Sequence, residues 1–268
     1  MSLYVLVSPG GSPGVTTAAL ALALGWPRQV ILAECDPSGG DVLAGLFSGH
    51  AHGGRGLLPL ALEAGHGPAR VLAALWEQVI PLDDGHTRFL LAGVTDPRQA
   101  AGLEPAWPVL AEVLATVPAD VIADCGRLDR IAGLEPLLAA ASVVVLVLRP
   151  TLRQVSKARS RLDMLAQVTP RAPGTVLLLS GEGSYPAREV SKALAAPVAG
   201  CLPRDGKAAA VLADGYGHRR GLPARPLVRA AAGAGRGLRE AAAAAGQDAA
   251  GGPARLDRLW AARARRAS

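Results

Sequence analysis

Short, uninterrupted runs of Val, Leu and Ile alternate with helical stretches from the first residues to about residue 246, and this alternation limits the fold more than any other feature of the chain. The runs predict strands at Tyr4–Val7, Gln29–Cys35, Phe89–Val94, Val121–Cys125, Ser142–Leu148, Thr175–Leu179 and Val198–Leu202. Most are continuous rather than interleaved with polar residues, as expected for strands covered on both faces. Helical stretches lie between them, among them Ala69–Gln78, Pro108–Val117, Arg153–Val168 and Arg188–Ala195. The pattern predicts an α/β fold, a doubly wound, mainly parallel sheet flanked by helices. The 268 residues divide into one large domain over residues 1–246 and a Gly/Ala linker with a basic tail over residues 247–268.

The first strand leads into Ser8-Pro9-Gly10-Gly11-Ser12-Pro13-Gly14-Val15-Thr16-Thr17, which opens an Ala/Leu-rich helix from Thr16 to Leu24. A phosphate-binding loop belongs in that setting. Its backbone N–H groups and the helix N-terminus cradle phosphates, a lysine reaches the β- and γ-phosphates, and a Ser or Thr hydroxyl binds Mg²⁺. Gly10, Gly11, Ser12, Gly14, Thr16 and Thr17 suit that role, but the lysine position holds Val15. Pro13 removes one more N–H from the cradle. The chain has three lysines against 25 arginines. A GC-rich coding bias accounts for Arg in place of Lys, but not for Val.

With these residues in order, the chain resembles the MinD/ParA family of P-loop ATPases, and more narrowly its CpaE/TadZ branch linked to pilus assembly. The family's deviant loop reads Lys-Gly-Gly-Val-Gly-Lys-Thr-Thr, and residues 10–17 lie along it with Gly11, Gly14, Thr16 and Thr17 matching. Gly10 replaces the lysine that in the family reaches across a dimer to the partner's nucleotide, and Val15 replaces the ordinary P-loop lysine. Glu34-Cys35-Asp36 resembles the family's Asp-x-Asp, whose second acid positions the attacking water, so the resemblance implies that role for Asp36. Val121-Ile122-Ala123-Asp124 resembles the Walker B strand, placing Asp124 with Thr16 at Mg²⁺. Pro203-Arg204-Asp205 resembles the segment that frames adenine. The resemblance covers roughly residues 1–245 and implies ATP and Mg²⁺ as ligands, a homodimer, and protein partners in a pilus, secretion or partition system.

The departures carry their own implication. Phosphoryl transfer depends on positioning and charge stabilisation, and the loop has lost both lysines. The sequence therefore reads as a positioning or scaffold factor with a degenerate nucleotide site and weak or absent hydrolysis. The alternative is an active ParA-type partitioning ATPase in which arginines, such as Arg127 or Arg204, stand in for the lysines. Asp36 and Asp41 also suit plain capping of loops and helices.

The remaining signals are weaker. Cys35, Cys125 and Cys201 are odd in number, lack metal-type spacing and sit at strand ends, which predicts small buried thiols. His50, His52 and His66 fall in the Gly-rich stretch 49–67, read as a flexible loop or a partly ordered excursion, and His50 and His52 lack an acidic or cysteine partner nearby for binding a metal. No apolar run is long enough to span a bilayer and no basic leader precedes the first strand, so a cytoplasmic protein is expected. In the tail, Leu256, Leu259 and Trp260 share a helical face among Arg255, Arg258, Arg263, Arg265 and Arg266. Such a segment suits an anionic membrane surface at the inner face of the membrane, or DNA, or simply solvent. Arg149, Arg153, Lys157, Arg159 and Arg161 form a second basic stretch.

Overall fold

The computed structural model describes residues 1–48, 54–130, 133–168, 174–215 and 219–250. His50, His52 and the whole basic tail from Gly251 onward lie outside the described residues.

The chain opens with β1 (Leu3–Ser8), α1 (Val15–Gly25) and β2 (Val30–Glu34), followed by α2 (Leu57–Leu62), α3 (Pro68–Gln78), β3 (Ile80–Pro81) and β4 (Arg88–Leu91). Next come α4 (Pro97–Leu103), α5 (Trp107–Thr116), β5 (Asp120–Arg127), α6 (Glu135–Ala140), β6 (Val143–Leu148) and α7 (Leu152–Val168). The last described elements are β7 (Thr175–Ser180), α8 (Ala187–Leu194), β8 (Val198–Leu202), α9 (Gly206–Asp214) and α10 (Pro226–Ala250). The strands form one sheet in the order β3-β4-β2-β5-β1-β6-β7-β8. Every neighbouring pair is parallel except β3 with β4 at the edge. The doubly wound α/β sheet expected from the alternation is the one observed.

Both faces of the sheet are covered, which is why the strands read as unbroken apolar runs. Leu3, Val5 and Val7 of β1 face a core built with α3, α5 and α7, whereas Tyr4 and Leu6 face α1, α9 and α10. On the second side small residues let backbones approach closely. A Cβ on Gly237 of α10 would fall 2.9 Å from the Ala199 carbonyl oxygen, and one on Gly200 of β8 would fall 2.6 Å from the Ala234 Cβ. At the amino edge, the carboxylate of Asp120 receives both Nε and Nη2 of Arg28, the Trp26 indole N–H and the Ser2 N–H.

Several expectations are corrected. Of the two readings of the stretch 49–67, the partly ordered one holds, because Leu57 and Leu60 of α2 are buried in the core. The strand expected at Phe89–Val94 is Arg88–Leu91, since the Gly93 N–H is donated to the Glu34 carboxylate instead. Strand β3, too short for a pattern to reveal, adds the antiparallel edge. Helix α10 continues through Gly246 to Ala250. Of the three cysteines, Cys201 is exposed, because β8 is the outer strand of the sheet.

The winding fixes where a ligand fits. After β1 the chain turns into α1 on one face, whereas after the adjacent β6 it turns into α7 on the other. The loops therefore part beyond the carboxyl ends of β1 and β6, and such a switch point is where open α/β sheets bind ligands.

Candidate functional site

Residues 9–14 form a tight turn between β1 and α1. Gly10, Gly11, Ser12 and Gly14 all have positive φ (125°, 75°, 48° and 91°), so consecutive backbone groups curl into a concave nest. Gly14 caps α1 in the left-handed conformation and accepts the first helical hydrogen bond from the Ala18 N–H at 2.9 Å. Pro13 lies inside the nest without an N–H, and its carbonyl is tied to the Ser180 hydroxyl at 2.9 Å. Val15, at the lysine position, is the first residue of α1 and is only 6% exposed, packed into the core beneath the helix.

Beside the loop stand three carboxyl groups. Thr16 donates its hydroxyl to Asp124, which also accepts the Gly126 N–H at 3.1 Å. Burial pushes the Asp124 carboxyl up to about 7, with the charges of Asp36 and Glu34 adding to the effect. The strand register puts Glu34 directly opposite Asp124. Glu34 accepts the Val42 N–H at 3.0 Å and the Gly93 N–H at 3.1 Å, and desolvation raises its pKa. It thus pins the loop after β2 rather than facing a ligand. Asp36 closes an Asx turn with the Ser38 N–H at 2.8 Å and lies against Gly126, where a Cβ would fall 1.9 Å from the Asp36 Oδ2. Thr16, Asp36 and Asp124 therefore meet at the mouth of the nest.

Two cavities flank the loop. The larger, about 410 Å³, is bounded by Pro13, Gly14 and Thr17 on one side and by Pro203, Arg204 and Asp205 on the other. Asp205 is occupied structurally: it caps α9 through the Ala208 N–H at 3.0 Å and is clamped by Arg225, which lowers its pKa. The smaller cavity, about 300 Å³, lies on the α7 side and is lined by Gly11, Arg149, Thr151, Arg153, Gln154 and Lys157. Arg149 lines both.

The residues present fit Mg²⁺ better than they fit triphosphate. Thr16 and Asp124 are a hydroxyl–carboxylate pair suited to holding the metal, and a divalent cation would favour the ionised carboxylate. The nest offers N–H groups, but its lysine position is filled by a buried apolar side chain. Arg127, one of the expected stand-ins, pairs with Asp129 at 3.5 Å. Among the described residues no group of three or more His, Cys, Asp or Glu is disposed to hold a metal ion.

Gln154 and Ser180 carry no signal in the sequence, and Lys157 shows there only as one residue of the basic stretch 149–161. Lys157 and Gln154 come from a helix 140 and more residues away from the loop, and Ser180 from the end of β7, so no local motif marks them. The signal available for Lys157 was its rarity in an arginine-rich chain.

No family model matches this sequence, and no curated protein matches it. Solved structures do. A ParA family ATPase from Chlorobium tepidum TLS aligns with a TM-score of 0.66 at 16% identity, over 86% of this chain and 96% of that one. The MinD cell division protein of Aquifex aeolicus gives 0.66 at 16%, over 90% and 98%. The septum site-determining protein MinD of Pyrococcus horikoshii OT3, solved with Mg-ADP, gives 0.65 at 17%, over 88% and 95%. The chain has the MinD/ParA fold. The pairing of β1 with β5 brings the loop after β1 to the end of β5, where Thr16 meets Asp124. Among the described residues no helix is long and apolar enough to cross a membrane.

Proposed function

We propose that this protein is a MinD/ParA-like positioning or scaffold factor of the CpaE/TadZ type, serving pilus or secretion assembly, with a nucleotide site that has lost efficient hydrolysis. The observation that carries this reading is Val15: at the position of the phosphate-reaching lysine stands an apolar side chain, 6% exposed and packed in the core. Gly10 supplies no charge either. ATP and Mg²⁺ remain the ligands that the frame suits, with Thr16 and Asp124 as the metal pair, Asp36 as the water-positioning acid, and the Pro203–Asp205 loop beside the base. A solved MinD relative carries Mg-ADP, and another is in complex with MinC. Both support the view that this fold couples a nucleotide site to protein partners.

The test is titration of a fluorescent ATP analogue with Mg²⁺ against the wild type and Val15→Lys. A charged hydrogen bond of about 1.5–3 kcal/mol predicts about ten- to hundredfold tighter binding by the variant. Tight binding and turnover by the wild type would instead establish an active partitioning ATPase.

A further inference from the structure

The loop has lost its own lysines, yet cations surround it from outside. A Cβ at Gly10 would lie 3.9 Å from Lys157 Nζ, so an ammonium is delivered from the second turn of α7 to the place where the family's first lysine begins. Arg153 stands one turn earlier on the same helix, and Arg149 precedes it at the end of β6. All three are exposed, and none forms an ion pair with a carboxylate among the described residues. Three unneutralised cations around one cavity raise the local concentration of anions.

Gln154 adds a second, independent sign. It is only 9% exposed, its Nε2 donates to the Gly10 carbonyl at 3.1 Å, and its Oε1 is buried with no hydrogen-bond partner. A buried acceptor of this kind calls for a donor, since leaving it unpaired is costly. A protonated terminal phosphate oxygen supplies one. The cavity is small, about 300 Å³, and Arg149 joins it to the 410 Å³ cavity across the loop.

We infer that Arg149, Arg153, Lys157 and Gln154 form an anion subsite on the α7 side of the loop, which takes the polyphosphate tail of a nucleotide whose base and sugar occupy the larger cavity. The inference rests on the reading of a nucleotide frame whose loop cations are gone. It places the charge recognition on a different element, away from Thr16 and Asp124, so binding there needs no metal.

The test is calorimetric titration of the full chain with ADP, tripolyphosphate and inorganic phosphate in EDTA, for the wild type and the Arg153→Gln/Lys157→Gln double variant. The wild type is expected to bind ADP and tripolyphosphate without Mg²⁺. The double variant should lose about tenfold or more in affinity for each cation removed. Both side chains are exposed, so its melting temperature should stay at the wild-type value and folding is controlled by that measurement. Unchanged affinity in the double variant, or no binding by the wild type, overturns the subsite. Inorganic phosphate binding as tightly as ADP overturns the assignment to a nucleotide. A duplex DNA arm completes the set: DNA binding lost in the double variant, with no binding of ADP, overturns the proposal in favour of a nucleic-acid face. The Mg²⁺-dependent gain on Val15→Lys does not involve α7, so either proposal can fail while the other stands.

Discussion

Gly126 shows how tightly single residues define the site. It follows Asp124 by two positions, adopts φ +64°, and leaves its Cβ space to the Asp36 carboxylate. Gly126→Ala places a methyl group 1.9 Å from the Asp36 Oδ2 in a conformation that L-residues rarely adopt. Strain and displacement together are expected to cost about 1–3 kcal/mol, read as a lowered denaturation midpoint. The loop after β2 should also become more protease-sensitive as Asp36 leaves its seat. A neutral effect on both would mean that Asp36 is not held there. The sequence marked Asp36 and Asp124 as a pair at strand ends, but not the glycine between their backbones. Its role depends on two strands meeting, and β2 and β5 are far apart in the chain.

At the scale of elements, α9 depends on the residue that caps it. Asp205 caps the helix and is clamped by Arg225, from just before α10, so one carboxylate ties two helices to the end of β8. Asp205→Ala should cost about 2 kcal/mol, less than for a fully buried pair because Arg225 is partly exposed. The pH dependence follows from the sign of the shift. The folded pKa of Asp205 is lowered from 3.8, so its contribution is fully present above that value and disappears as pH falls through the folded pKa. Denaturation curves of wild type and variant should thus differ at pH 7 and converge in acid, once pH has fallen through the lowered folded pKa. Divergence that persists in acid would point to packing instead. Helix α10 depends on small residues: Gly237→Val forces a side chain against the Ala199 carbonyl, with an expected loss of about 1–3 kcal/mol in denaturant titration. The Gly/Ala composition suggested a linker only from residue 247 onward, at the end of this helix. Its periodic close approach to α1 and β8 appears only once those elements are in place.

For the whole molecule, the amino edge and the carboxyl edge of the sheet do different work. The amino edge is locked by Asp120, fully buried and shared among Arg28, Trp26 and Ser2. Asp120→Ala leaves an indole N–H without its acceptor and is expected to cost about 2–4 kcal/mol by chemical denaturation, with ligand binding at the opposite edge unchanged in the folded fraction. The carboxyl edge holds the loops. Because Gly10 offers no side chain to reach a partner's nucleotide, any homodimer should form independently of ATP. Sedimentation velocity with and without ATP and Mg²⁺ checks this, and a dimer seen only with ATP would contradict it.

Seven of the eight strands were legible residue by residue, because strands covered on both sides need uninterrupted apolar runs; the two-residue edge strand β3 was not. The sequence by itself also determined the order of the loop, Thr16, Asp36 and Asp124, and the absence of the loop lysines. Tertiary structure alone decided which side chains stand beside that loop. Lys157 and Gln154 reach Gly10 because β6 lies beside β1 while their helices cross to opposite faces, a juxtaposition made by winding and carried by no stretch of sequence. It decided equally that Val15 is packed in the core, and that Glu34 and Asp205 are committed to the frame. Burial and partnership are properties of neighbours in space, and the chain order does not record them.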